Sequence, residues 1–169
     1  GIAAYKLNDN RAQREVGFII DVGGIEIKTA RTLGVNFSLE SLRDEFDAVF
    51  LGIGHADVNR LDLGNERAAG VHDAVDYIAR IRQQELTELP VGRRVVVIGG
   101  GYTAIDIAVQ TKKLGAEYVT LVYRRGQAEM PATDYEQVIA QTSGVLLKTW
   151  ASPVELIADE DGITGVRFE

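Results

Sequence analysis

Cysteine is absent from the 169 residues, proline occurs three times, and methionine and tryptophan occur once each. Without thiols the chain itself can form no disulfide, no thiolate metal site and no redox dithiol. Its two histidines, His55 and His72, lie far apart in sequence with no ligand partners at metal-site spacing. Both are read as structural or exposed, and no metal is expected. No apolar run reaches the roughly 20 residues that span a bilayer, and no signal peptide opens the chain. A cytoplasmic protein without a membrane partner is expected. Positive charge is also short: 18 Lys and Arg stand against 25 Asp and Glu, a net charge of −7. That balance argues against nucleic acid as the main partner.

Apolar residues are not lacking. At 46% hydrophobic, the chain is globular rather than disordered. Its length suits one domain, or one and a half, and suffices for a real core. It begins with glycine, its only methionine is Met130, and the segment 163–169 reads as a strand that stops without a cap or tail. These ends lead us to expect a piece of a longer protein.

Taken in order, residues 1–10 read as a lead-in loop. Residues 11–22 read as a helix with Val16, Ile19 and Ile20 on one face, closed by Gly23-Gly24. Ile25 to Thr29 alternates as a half-buried strand does. Ser38 is an N-cap for a helix over 39–46. Ala48 to Gly54 reads as a buried strand, and 25–54 resembles an incomplete piece of sheet. A polar loop follows to residue 70, then an amphipathic helix over 71–86 with Val71, Ala74, Val75, Ile78 and Ile81 as its stripe. Pro90 and Gly92 mark a break. Beyond it the pattern predicts a strand over 94–98, a helix over 103–114 stopped by Gly115, and a strand over 118–123. A helix over 133–141 capped by Thr133 and a strand over 145–150 come next. Strand, helix, strand, helix, strand implies a parallel sheet with right-handed crossovers. Val154–Ile157 and Ile163–Phe168 flank Asp159-Glu160-Asp161-Gly162, a hairpin signal.

The stretch Arg94 to Ala108 organises the rest. A β-branched run, Val95-Val96-Val97-Ile98, suits a strand buried on both faces. Gly99-Gly100-Gly101-Tyr102-Thr103-Ala104 then turns into a helix. This is the GxGxxA form of the phosphate-gripping corner of a dinucleotide fold. Gly99 permits the turn, Gly101 lets a pyrophosphate approach the backbone, and Ala104 keeps helix and strand close. The helix N-terminus faces the anion with free N–H groups and the positive end of its dipole. Asp106, early in that helix, is read as a favourable dipole partner.

The tip of the second strand reads the adenosine ribose in this fold: a carboxylate there bonds the 2′-hydroxyl of NAD, an arginine accommodates the 2′-phosphate of NADP. The tip here is Tyr123-Arg124-Arg125, with no carboxylate. Two forked guanidinium groups suit a phosphate dianion, so NADPH is the expected cofactor and NADH the alternative. The chain offers no general acid, base or nucleophile of its own, so no catalytic residue is named. That fits a hydride-transfer domain in which cofactors carry the chemistry, and equally a non-catalytic nucleotide sensor. A short-chain dehydrogenase is disfavoured because no tyrosine is followed by lysine four residues later. A methyltransferase is disfavoured by Arg124 at the position where an acidic residue would bind ribose.

The residues also resemble a known family. Gly99 to Asp106 is similar to the "GGGNTAMD" signature of the NADPH-binding domain in the glutamate synthase small subunit, a domain shared with dihydropyrimidine dehydrogenase and related flavoproteins. Val122-Tyr123-Arg124-Arg125 with Glu129-Met130-Pro131-Ala132 resembles its "VYRR…EMPA". Gly1-Ile2 with Tyr5-Lys6-Leu7 resembles "GIPxYRL", with Ala3 at the proline. Asp47 to Gly54 resembles "DAVFLAIG". Tyr102 stands where asparagine is usual, and Leu63-Gly64-Asn65-Glu66 where "IPGE" is usual.

The resemblance implies an α/β, Rossmann-like parallel sheet with flanking helices and a C-terminal β-hairpin, plus a remnant of an FAD-binding domain. Residues 1–65 would be that remnant and 66–169 the NAD(P)H-binding domain. Hydride would pass from NADPH to FAD and on to iron–sulfur centres. Gly99, Gly100, Gly101, Tyr102, Thr103 and Ala104 would line the pyrophosphate, Arg124 and Arg125 the 2′-phosphate, and Ile53 and Gly54 would lie near the FAD. The FAD-binding glycine turn and the cysteine-rich cluster segment are not in this sequence. The implied partners are therefore FAD-domain and iron–sulfur segments of the same protein, together with a large catalytic subunit. This chain alone is expected to be inactive.

Overall fold

The computed structural model describes residues 3, 5–7, 9–54 and 59–169. His55 and the Gly1-Ile2 pair lie outside the described residues. The chain divides into two compact units, one formed by Gly1–Asn8 with Val58–Glu169 and the other by Asp9–Asp57.

In the larger unit the strands β1 (Arg94–Ile98), β2 (Tyr118–Val122) and β3 (Val145–Lys148) form a parallel sheet in the order β1-β2-β3. The register pairs Val97 with Leu121 and Leu121 with Leu147. The crossovers are helices α4 (Tyr102–Lys113) and α5 (Asp134–Thr142). Both pack on the sheet and on each other, and α3 (Ala74–Gln83) packs on α4. The core forms where Val97, Val119, Leu121 and Val145 meet Ile105, Ala108 and Val109 of α4. Ile105, Val109 and Leu121 are fully buried, each stabilising by about 1.5–3 kcal/mol.

The α/β architecture is as expected, a parallel sheet with flanking helices and a C-terminal hairpin, β4 (Pro153–Asp159) with β5 (Gly162–Phe168). The turn lies within the Asp159–Gly162 stretch, as expected. Glu160 and Asp161 form it, and the Asp159 carboxylate accepts the N–H groups of Asp161 and Gly162. Strand β1 is not buried on both faces. Val97 points into the core, but Val96, Thr120 and Leu146 share a row on the opposite face, with Val96 45% and Leu146 65% exposed. The helices lie against only one face at this row.

Helix α3 is shorter than its apolar stripe, because the Asp73 carboxylate accepts the N–H groups of Val75 and Asp76 and starts the helix there. Strand β3 stops at Lys148 rather than at residue 150.

The smaller unit holds α1 (Asp9–Asp21) and α2 (Leu39–Glu45). Ser38 caps α2 as read, in a reciprocal pair with Ser41. Two expectations fail here. Neither 25–29 nor 48–54 is a strand, and among the described residues of 25–54 the only pairing is an isolated bridge between Leu33 and Phe37. A strand exists by virtue of its ladder. Among the described residues nothing pairs with these segments, and Ile27, Phe50 and Ile53 are exposed.

Candidate functional site

The glycine turn leaves β1 and enters α4 at the carboxyl edge of the sheet. The Gly99 N–H donates to the Val122 carbonyl at 2.9 Å, so the turn stays joined to the tip of β2. Gly99 has φ 142°, a conformation that a side chain disfavours. A Cβ there would also stand 3.2 Å from that of Ala104, so the close approach of strand and helix uses both positions. Gly100 is buried for a different reason. Its missing Cβ would lie 2.5 Å from the Tyr123 ring, which closes over the turn from β2. At Gly101, by contrast, a Cβ would meet nothing within 4 Å. The residue just before the helix faces open space.

Gly101 is the N-cap of α4, with no side-chain cap and no acidic residue in the first turn. The leading N–H groups and the positive dipole end are therefore left for an incoming anion. Tyr102 and Thr103 are exposed beside them, and Ala104 is buried.

The loop after β2 carries Arg124 and Arg125, both exposed. Among the described residues no ion pair engages either one. The following segment braces this loop. Glu129 accepts the Gly126 N–H through its carboxylate at 3.0 Å and the Tyr123 hydroxyl through its carbonyl at 3.1 Å. The Ala132 N–H donates to the Gly100 carbonyl at 3.1 Å, with Met130 and Ala132 buried. Tyr123 and this brace were not foreseen. The Glu-Met-Pro-Ala motif was the only signal that could have pointed to them.

Asp106 does not act at the helix end. It lies in the second turn of α4, is 8% exposed, and accepts the Tyr5 hydroxyl at 2.8 Å. The Lys6 ammonium lies 2.7 Å from Asp106 and 2.5 Å from Glu136. Burial, and then the hydrogen bond to Asp106, push the Tyr5 phenol up. Burial pushes the Lys6 ammonium down, but its bonds to Asp106 and Glu136 outweigh this and leave it raised. Burial raises the Glu136 carboxyl, while hydrogen bonds from Lys6 and Thr133 carry it below its ordinary value. The cluster fastens residues 5–6 to α4 and α5.

Ile53 and Gly54 belong to the smaller unit. They end an unpaired extended segment, Ile53 being 75% exposed and Gly54 having φ 68°. Among the described residues no group of three or more His, Asp or Glu is placed to hold a metal ion. No helix there is long and apolar enough to cross a membrane.

Residues 4–169 match the family model described as pyridine nucleotide-disulphide oxidoreductase. The chain is 36% identical to AegA of Escherichia coli strain K12, covering 99% of this chain and 27% of that protein. It is 34% identical to the glutamate synthase [NADPH] small chain of the same strain, covering 99% and 38%. It is 35% identical to the NAD-dependent dihydropyrimidine dehydrogenase subunit PreT of Salmonella typhimurium strain LT2, covering 99% and 40%. The chain thus spans between about a quarter and two fifths of these relatives. Members of the matched family bind FAD and NAD(P)H. With the glycine corner, the open helix end and a match along almost its whole length, the chain belongs to the pyridine nucleotide-disulphide oxidoreductase family.

Proposed function

We propose that this chain is the NADPH-binding portion of a flavin-dependent oxidoreductase of the glutamate synthase small-subunit type. The observation that carries the reading is the shared edge of β1 and β2. There the uncapped end of α4, the open space at Gly101 and two exposed arginines, without an ion pair among the described residues, follow strand tips joined by the Gly99–Val122 bond. The residues fit the nucleotide. The N–H groups of Tyr102, Thr103 and Ala104 bind the pyrophosphate, Gly101 admits it, and Gly99 and Gly100 let the turn close under Tyr123. Arg124 and Arg125 take the 2′-phosphate in forked hydrogen bonds. The bound nucleotide supplies hydride chemistry. This chain's own residues orient it and contribute no proton carrier.

In this reading residues 1–65 belong to an FAD-binding domain and residues 66–169 to the NAD(P)H-binding domain. Ile53 and Gly54 approach the flavin held by other segments of the protein. Electrons continue to iron–sulfur centres and a large catalytic subunit in the cytoplasm, and the chain alone is inactive. A dihydropyrimidine dehydrogenase type is the second reading. It is favoured by the equally close PreT relative, whose name specifies NAD where the glutamate synthase chain's specifies NADPH. The arginine pair weighs toward NADPH.

Calorimetric titration with NADPH and NADH, in the wild type and in Arg124→Ala/Arg125→Ala, tests the reading. Charge-assisted bonds of about 1.5–3 kcal/mol each, discounted for exposure, predict roughly a ten- to hundredfold preference for NADPH that the double variant loses. Equal affinity for both nucleotides in the wild type refutes the phosphate assignment. No binding from a folded chain refutes the nucleotide site.

A further inference from the structure

Trp150 is the only tryptophan, and it is spent on the surface. It is 71% exposed and has φ 56°. A bulky side chain adopts the left-handed region only where surrounding contacts impose it. Here two bonds do so. The Trp150 N–H donates to the Arg125 carbonyl and the Ala151 N–H to the Tyr123 carbonyl, each at 3.2 Å. These carry the pairing of β2 with β3 past the end of the ladder and leave Trp150 turned outward between them. The indole lies on Gly126, where a Cβ would come within 2.8 Å of the ring. Gly126 is itself fixed by Glu129, which accepts its N–H and donates to its carbonyl. The ring is thus backed by a held backbone and otherwise open to solvent. The Trp150 backbone N–H, not the ring, bonds to the carbonyl of Arg125 in the loop after β2.

We propose that Trp150 is the platform on which the nucleotide's adenine ring stacks while Arg124 and Arg125 hold the adjoining 2′-phosphate. This rests on the nucleotide reading above and adds to it a residue that decides affinity for the base. A flat aromatic face on the loop that carries two exposed arginines, with no ion pair to either among the described residues, matches a ligand that joins a planar heterocycle to a phosphate dianion. The carboxyl end of the second strand is where such a fold receives the adenosine half. Base–aromatic stacking has the strength that alanine substitution reveals as a five- to roughly hundredfold loss.

Because no other tryptophan is present, indole fluorescence reports this residue alone. The chain is titrated with adenosine 2′,5′-bisphosphate, which lacks nicotinamide, and with reduced nicotinamide mononucleotide, which lacks adenine. Saturable quenching by the first and none by the second is expected. Calorimetry should show Trp150→Ala binding the bisphosphate roughly ten- to a hundredfold more weakly, with Trp150→Phe retaining most of the affinity. Circular dichroism of both variants checks their folding. If the wild type binds the bisphosphate without quenching, or both variants bind it as tightly as the wild type, the platform fails and the arginine reading stands. If the wild type binds neither the bisphosphate nor NADPH, both fail together.

Discussion

Replacing Asp106 separates the role found here from the dipole role its position in sequence suggested. Asp106→Asn keeps an acceptor for the Tyr5 hydroxyl but removes the charge facing Lys6. Asp106→Ala removes both. A hydrogen bond to a charged group contributes about 1.5–3 kcal/mol. Lys6 keeps Glu136, and its side chain is 26% exposed, so part of the loss is recovered from solvent. The alanine variant should lose about 2–4 kcal/mol and the asparagine variant about 1–2 kcal/mol. At roughly 3–5 °C per kcal/mol for a unit of this size, Tm falls by about 6–20 °C and 3–10 °C. The pH dependence follows from the same cluster. Glu136 is lowered, so its contribution is present above its ordinary value of 4.5 and is lost as pH falls through the folded value. Lys6 is raised, so its contribution is present below 10.5 and is lost as pH rises through its folded value. Melting curves in the plateau between these limits give the full difference. A second readout is trypsin. The bond after Lys6 is held against α4 and α5 in the wild type and should be cut faster in the alanine variant. Wild-type melting and wild-type protection in Asp106→Ala would refute the clamp.

Two adjacent glycines should respond in opposite ways. Gly100→Ala drives a methyl group into the Tyr123 ring and should cost about 1–3 kcal/mol of stability, a loss reduced when Tyr123→Ala is added, as a double-mutant cycle would show. Gly101→Ala places its methyl in open space at φ −91°, so melting should be unchanged while NADPH affinity, read by calorimetry, falls. Gln110→Met should raise stability by about 1 kcal/mol in denaturant titration, because both amide atoms of Gln110 are buried without partners. A loss of similar size would show that the amide is satisfied.

The parts legible in the sequence are those that neighbouring residues decide. Val95 to Ile98 encode a strand, Gly99 to Gly101 a turn, and the apolar spacing from Ala104 a helix, all within one short window. The Ser38 and Thr133 caps likewise sit within a turn of the groups they satisfy. What failed required partners far along the chain. The alternation at 25–29 and the apolar run at 48–54 state a propensity, but a ladder needs a second strand, and among the described residues none is supplied. Tyr5 and Asp106 are separated by 101 positions, so local reading assigned Asp106 the nearest available role, the helix dipole. The exposed row Val96–Thr120–Leu146 was hidden for a related reason. β-Branched residues mark a strand without saying how many of its faces are covered.

The Glu129–Ala132 segment ties together the two loops of the candidate site. One end of it holds Gly126, and with it the arginine loop and the floor under Trp150. The other end holds Gly100, and with it the phosphate turn. Tyr123 lies between, its ring on Gly100 and its hydroxyl on the Glu129 carbonyl. The two loops that would grip opposite parts of one nucleotide are therefore set by a single piece of backbone. Hydride transfer depends on placement to within a fraction of an ångström, and a loop free to move by itself cannot provide it. Under the function proposed above, such a brace would position the nucleotide through backbone that it does not itself touch.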